Sequence, residues 1–177
     1  REIPCIYNKE AFQIECTKYI LDPHVTLDSF VEAQAFLKNL IMYYLVMEGL
    51  FFYVGFVQTL SFARRGLLSG VGKQFEMILR DESAHLMFGV KLINALIEEN
   101  PHLWTDLLKH QIRSLIDQAV GLEIAYAKDT MPEPILGLNS DNFTQYLHFL
   151  GCLSLQTYLE ILISSKPDQL NINQLLH

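Results

Sequence analysis

Residues 40–60 read "LIMYYLVMEGLFFYVGFVQTL", an almost unbroken apolar run in which Glu48 is the only charged residue. No other feature limits the fold as much. The run is 21 residues long, enough to cross a bilayer as a helix. A carboxylate at its centre makes insertion costly, by roughly a few kcal/mol on translocon scales. Arg64 and Arg65 form the only strong basic anchor at its flanks, and no other segment matches its apolarity. The run is therefore expected to be a helix buried all round in a soluble bundle, with Glu48 pointing inward. A buried carboxylate without a partner takes up a proton or finds a countercharge. Two countercharges are open to Glu48: a metal ion in the bundle core, or a buried arginine, for which Arg80 is the candidate.

The rest of the chain is compatible with such a bundle. Its 177 residues suit one domain with a sizeable core. Apolar residues recur at helical spacing between punctuation at 21–24, 64–72, 99–104, 129–140 and 164–169. Helices are expected over 28–65, with a break or bulge near Gly49, and over 73–100, stopped by Pro101. Further helices are expected over 105–129 and from about 139, with Asn139 or Ser140 as N-cap. A shorter one is expected over 9–21. No segment reads as a strand, so the fold class is all-α, and short connections imply antiparallel neighbours. The formal net charge of −7 argues against a nucleic-acid backbone as partner. Three scattered cysteines, Cys5, Cys16 and Cys152, fit a reducing cytoplasm better than a disulfide scaffold. The opening "REIPCIYNKEAF" is too polar for a secretory signal and lacks an initiator methionine, so a fragment is expected.

The expected helix over 73–100 contains "RDESAH", which spaces Glu82 and His85 by three. That spacing puts both side chains on one face, one turn apart, where a carboxylate oxygen and an imidazole nitrogen can share one metal ion. The pattern alone is weak, and solvated surface residues often match it by chance. Glu99 and His102 match it too, but they straddle Pro101 and cannot lie on one regular face. For Glu82 and His85 the following "LMFGVKLINAL" argues for a largely buried segment. With Glu48 on the preceding helix, metal binding is the better reading. Carboxylate-bridged dimetal bundles take a Glu from each of two helices and a Glu-x-x-His from each of two others. The chain offers half of that set, in the expected order.

Three stretches closely resemble the small, radical-generating subunit of class I ribonucleotide reductase: "IMYYLVMEGLFFYVGFVQTLSFARRG", "ILRDESAHLMFGVKLINALIEENPHLWT" and "LEIAYAKDTMP...ILGLNSDNF". The resemblance covers roughly residues 1–150 and implies a ferritin-like helical bundle. It implies a diiron or manganese–iron centre that reacts with oxygen, a large reductase subunit as partner, a homodimer and a cytoplasmic setting. It assigns metal-ligand roles to Glu48, Glu82 and His85. Asp81 matches the carboxylate that holds a ligand histidine and joins the radical-transfer path, in keeping with the general support of metal-bound histidines by carboxylates. Phe52, Phe56 and Ile78 match the apolar lining beside the radical site. Glu48, Phe52 and Phe56 also lie four apart along one helical face. Such an aromatic stripe is also what an ordinary core looks like.

Other features of that family are not matched. The first carboxylate ligand, the first Glu-x-x-His, the usual radical tyrosine and the radical-transfer tryptophan belong upstream of the matching segment. The large-subunit docking tail and its relay tyrosine are also absent, and the chain diverges after Phe149. The resemblance thus implies a single partial ferritin-like domain over 1–177: a C-terminal half cut at both ends, or a split or decayed gene product. Two copies could pool their halves across a two-fold axis, but the missing ligands belong upstream on the same chain. Three functions stay open: a piece of the reductase small subunit, another ferritin-like dimetal oxidase or iron store, and a half-bundle without chemistry. Asp81 directly before Glu82 favours the first.

Overall fold

The computed structural model describes residues 3–131, 133–134, 141 and 143–149, and every structural statement below concerns these. Helix α1 spans Pro4–Leu21. It begins a turn before the expected Lys9 because Pro4 occupies the first turn, where its fixed φ suits a helix and its missing N–H costs nothing. It ends at Asp22, which Pro23 holds in an extended conformation. Helix α2, Phe30–Met42, starts at Ser29, whose side chain accepts the Glu32 N–H. Buried Asn39 on α2 accepts the Tyr19 N–H at 2.8 Å, joining the end of α1 to α2.

The apolar run does not continue as one α-helix. After Met42 the chain widens into a π-helical segment, Tyr43–Glu48, then turns through residues 49–52 before α3, Tyr53–Arg64. The break falls at Gly49, where the sequence leads one to expect it. The N–H groups of Leu50 and Phe51 both converge on the Val46 carbonyl, at 3.1 and 2.9 Å. A Cβ at Gly49 would stand 2.6 Å from the Leu45 carbonyl oxygen, so this path of the backbone needs a glycine. The whole stretch Phe30–Arg64 is long and apolar enough to cross a membrane by composition. It is nevertheless broken at its middle, and 56 % of its most apolar window is buried against other helices, as in a core helix.

Helix α4, Ser69–Glu99, is the longest, and Pro101 begins a separate 3-10 turn, Pro101–Leu103. Helix α5, Asp106–Thr130, starts at Thr105, whose hydroxyl accepts the Leu108 N–H. No strand occurs among the described residues. Residues 143–149 are helical, whereas the expected N-cap at Asn139 or Ser140 and the chain beyond 149 lie outside the described residues.

The helices close around one core. Helix α1 packs on α2 and α5, α3 packs on α4, and the π segment lies between α2 and α4. Ile41, Met42, Val46, Val54, Ile93, Leu108 and Leu147 are its largest fully buried apolar side chains. Each contributes on the order of 1.5–3 kcal/mol by leaving water. Helix α4 departs from expectation. Gly72, Gly89, Ile93 and Ile97 are buried, but Met77, Ile78 and Phe88 are exposed. The segment around His85 is therefore not largely buried.

Candidate metal centre

Glu48 closes the π segment, directly before the break. Its three predecessors, Leu45, Val46 and Met47, are buried. The Glu48 side chain emerges at the seam between the π segment and α4, with 12 % of its surface exposed. Glu82 and His85 meet it there from α4. His85 Nδ1 lies 3.1 Å from Glu82 Oε2 and 3.8 Å from Glu48 Oε2. One donor atom from each of the three residues falls within 4.8 Å of the other two. Glycine sets the approach of α4 one turn further on. Gly89 leaves room for the Tyr44 ring, which a Cβ at that position would overlap.

The electrostatics of the cluster follow from crowding two carboxylates at one seam. Burial pushes the Glu82 carboxyl above the usual carboxylate range, and its hydrogen bond with Glu48 adds to the rise, outweighing the opposite pull of His85. The hydrogen bond to Glu82 raises the His85 imidazole, helped by the charges of Glu82, Glu48 and Asp81. The Tyr43 phenol is pushed up to about 12, first by its hydrogen bond with Glu48 and then by burial. The His85 and Tyr43 shifts, and the Glu48 part of the Glu82 shift, express surplus negative charge, which a cation relieves. Two carboxylate oxygens and an imidazole nitrogen suit a divalent first-row metal such as iron or manganese, so the donors fit such an ion. His85 is 59 % exposed, so the cluster sits at the margin of the described bundle and opens to solvent on one side.

The other residues singled out in the sequence take varied places. Phe52 and Phe56 stack at a tilt with ring centroids 5.8 Å apart, and Phe56 meets Phe75 edge-on at 5.7 Å. Phe52, Phe56, Ile78 and Glu82 line one groove of about 840 Å³ that reaches Lys9 and Tyr126. Phe56 is buried, but Phe52 and Ile78 are exposed, so this apolar wall is wet along one edge. Asp81 lies outside the donor cluster; its side chain is exposed and stands 3.7 Å from Arg80 Nε. Arg80 thus faces solvent and Asp81, and does not serve as the countercharge of Glu48. Glu99 ends α4 while His102 belongs to the 3-10 turn, and the two form no metal-type group.

Sequence reasoning missed two features. Tyr43 was not connected to Glu48. Lys9 and Glu123, which form an ion pair at 2.5 Å with the carboxylate fully buried and the ammonium half-buried, were passed over. Their spacing carried a signal: Lys9 lies on the face of Cys5, Phe12 and Cys16, and Glu123 on the face of Ile116, Ala119, Val120 and Ala127. Opposite charges on the buried faces of two helices point to a pair.

An all-helical bundle with a carboxylate–histidine cluster between facing segments is the ferritin-like class of fold. The chain belongs to the ribonucleotide reductase small-chain family, whose family model matches residues 1–157. It is 49 % identical over 143 residues to a ribonucleoside-diphosphate reductase subunit beta of Chlamydia pneumoniae, a match covering 81 % of this chain and 41 % of that protein. It is 27 % identical over 151 residues to a ribonucleoside-diphosphate reductase small chain of Trypanosoma brucei brucei, covering 85 % of this chain and 39 % of the relative. A crystal structure from Bacillus halodurans, assigned to class I ribonucleotide reductase, superposes with a TM-score of 0.75 at 22 % identity. That match covers 99 % of this chain and 51 % of the other, and speaks for the fold. The chain thus spans about two fifths of the length of these curated relatives.

Proposed function

We propose that this chain is part of the radical-generating small subunit of a ribonucleoside-diphosphate reductase. It is read as a single partial ferritin-like domain that supplies half of a dimetal–carboxylate centre. The observation that carries the reading is the meeting of Glu48, Glu82 and His85 within 4.8 Å in a chain that matches the small-chain family over residues 1–157. When bound, a diiron or manganese–iron pair supplies oxygen activation, and the oxidising equivalent serves deoxyribonucleotide synthesis on a large partner subunit.

The residues divide the work by position. Glu48, Glu82 and His85 hold the metal. Phe52, Phe56 and Ile78 keep water from that side of the donors once the wet edge of their groove is covered. Asp81, beside Glu82 but turned outward, is read as the carboxylate that supports a ligand histidine by a hydrogen bond and joins the radical-transfer path. Two carboxylates and one histidine cannot fix a bridged pair of metals, which takes four carboxylates and two histidines. The remaining donors must come from outside the described residues. The solvent on His85, Phe52 and Ile78 supports this need for a covering element. A homodimer and a cytoplasmic setting complete the proposal; the buried free thiols of Cys5 and Cys16 are compatible with a reducing compartment.

The test compares the 177-residue chain with the same chain joined to helices carrying the missing donors. Both are given iron and oxygen, then examined by electron paramagnetic resonance with metal quantitation. The longer protein is expected to hold a dimetal centre and the short one none. A stoichiometric dimetal centre in the short chain would overturn the half-site and favour pooling across a symmetric dimer.

A further inference from the structure

The Lys9–Glu123 pair lies apart from the metal donors. Lys9 Nζ on α1 donates to Glu123 Oε2 on α5 and, at 3.3 Å, to the backbone carbonyl of Phe51. The same ammonium lies 4.4 Å from the centre of the Phe51 ring and 4.3 Å from that of Tyr126, within reach of cation–π attraction. The Glu123 side chain is 0 % exposed. Its Oε1 has no close hydrogen-bond partner among the described residues, although the backbone N–H of Val54, in the first turn of α3, also favours the ionised carboxylate.

Such a pair is a poor way to gain stability. Removing two charges from water costs about as much as their attraction returns, and apolar replacements of similar size are often as stable. Burial indeed outweighs Lys9 in its effect on the Glu123 carboxyl, which is pushed above the usual range. What distinguishes this pair is its third partner. Phe51 lies inside the break between the π segment and α3, where the regular helical ladder is interrupted. Glu48 precedes Phe51 by three residues, and Phe52 follows it.

We propose that Lys9 and Glu123 form a strut that fixes the helix break. Lys9 grips the Phe51 carbonyl and ring, Glu123 anchors Lys9 to α5, and together they set where Glu48 and Phe52 lie. They are positioning residues, and the link to Glu48 rests on reading Glu48 as a metal donor.

Hydrogen exchange of the backbone amides tests the strut without any metal. Lys9→Met with Glu123→Leu replaces the pair by apolar side chains of similar size. The expected result is a cooperative melt, with the amides of residues 49–53 exchanging about tenfold faster or more while those of Ile112–Val120 in α5 keep their rates. Lys9→Gln with Glu123→Gln keeps a donor for the Phe51 carbonyl and should hold residues 49–53 at the wild-type rate. Unchanged exchange at 49–53 in the Met/Leu protein overturns the strut. If that protein does not melt cooperatively, the Gln/Gln protein decides, and loss of protection at 49–53 there overturns it. Manganese(II) titration of the same proteins beside Glu82→Ala separates the two readings. Binding indifferent to Glu82→Ala sinks the metal site and leaves the exchange result to judge the strut. Binding lost in Glu82→Ala but unchanged in a Met/Leu protein with a loosened break overturns the link to Glu48.

Discussion

The Glu82 carboxylate stands 3.1 Å from His85 Nδ1, one turn along α4, and both side chains meet Glu48 at the seam with the π segment. Without a cation, Glu82 is an uneasy neighbour, since burial and Glu48 both resist its ionisation. Glu82→Ala is therefore expected to leave the metal-free protein as stable as wild type or slightly more so. Manganese(II) should raise the melting temperature of the wild type, because a ligand that binds only the folded state stabilises it. The variant should lose that response, with affinity down by about tenfold or more. Thermal melts with and without manganese(II) check both halves. A destabilised metal-free variant would count against the charge argument, and an undiminished manganese(II) response against the site.

The same shifts fix a pH dependence. Glu82 is raised from an ordinary value of 4.5, so the stability linked to its proton is complete below that value and lost as pH climbs through its folded pKa. His85 is raised from 6.5, so its contribution is complete below 6.5 and lost as pH climbs through its own folded value. The metal-free protein should thus lose stability from these groups as pH climbs from 4.5 through the folded values of Glu82 and then His85. Metal must displace the same protons, so manganese(II) affinity should rise across that window. Melts over a pH series check this. His85→Ala should flatten the upper part of the trend, and Glu82→Ala the lower part together with much of the upper, since Glu82 is the main cause of the His85 shift. A metal-free stability that rises with pH and is untouched by either change would contradict the assignment.

The meeting of Glu48, Glu82 and His85 was legible because helical spacing is a strong constraint. Glu82 and His85 share a face wherever the helix begins, and a lone carboxylate in an apolar run must meet a partner. The break near Gly49 was legible for a similar reason: a glycine and a carboxylate side by side interrupt an otherwise uniform run. The solvent on His85, Ile78 and Phe52 was not legible. Periodicity says which face is apolar, not whether another helix is present to cover it. The outward turn of Asp81 is of the same kind, since a residue next to a ligand on a helix points about 100° away from it. The Lys9–Glu123 pair escaped because its signal is divided between two helices 114 positions apart, and neither charge alone breaks its own apolar pattern convincingly.

Gly89 makes the spacing of α4 from the π segment testable. It lies four residues after His85, as Tyr44 lies four before Glu48, so their contact is one turn from the donors on both sides. A Cβ at Gly89 would stand 2.7 Å from the Cβ of Tyr44 and overlap its ring. Gly89→Ala should therefore destabilise the protein by about 1–3 kcal/mol through overpacking. Manganese(II) binding should weaken as α4 is pushed from Glu48. Tyr44→Ala in the same chain removes the Cγ and ring atoms that a Cβ at Gly89 would overlap, leaving only the Cβ contact, and should recover part of both losses. Urea denaturation and manganese(II) titration of the single and double variants form the check. Independent, additive effects would show that the two residues do not gauge this distance.

Gly49 offers no such rescue. A Cβ there would meet the Leu45 carbonyl oxygen at 2.6 Å, and that oxygen belongs to the backbone of the π segment itself, so no change of side-chain rotamer relieves the clash. The backbone must shift, and the residue just before the shift is Glu48. Gly49→Ala is expected to cost about 1–3 kcal/mol, the usual range for locally strained backbone. It should weaken manganese(II) binding even at temperatures where the fold is intact. Its effect should also be local. Amides of residues 45–53 should exchange faster, while those around Ile112 and Ile116 in α5, which packs chiefly on α1 and α2, should keep wild-type protection. Exchange mapped residue by residue, with manganese(II) titration on the same sample, distinguishes this from general loosening. Wild-type binding together with wild-type exchange at 45–53 would show that the break tolerates a side chain and that Gly49 does not set the position of Glu48.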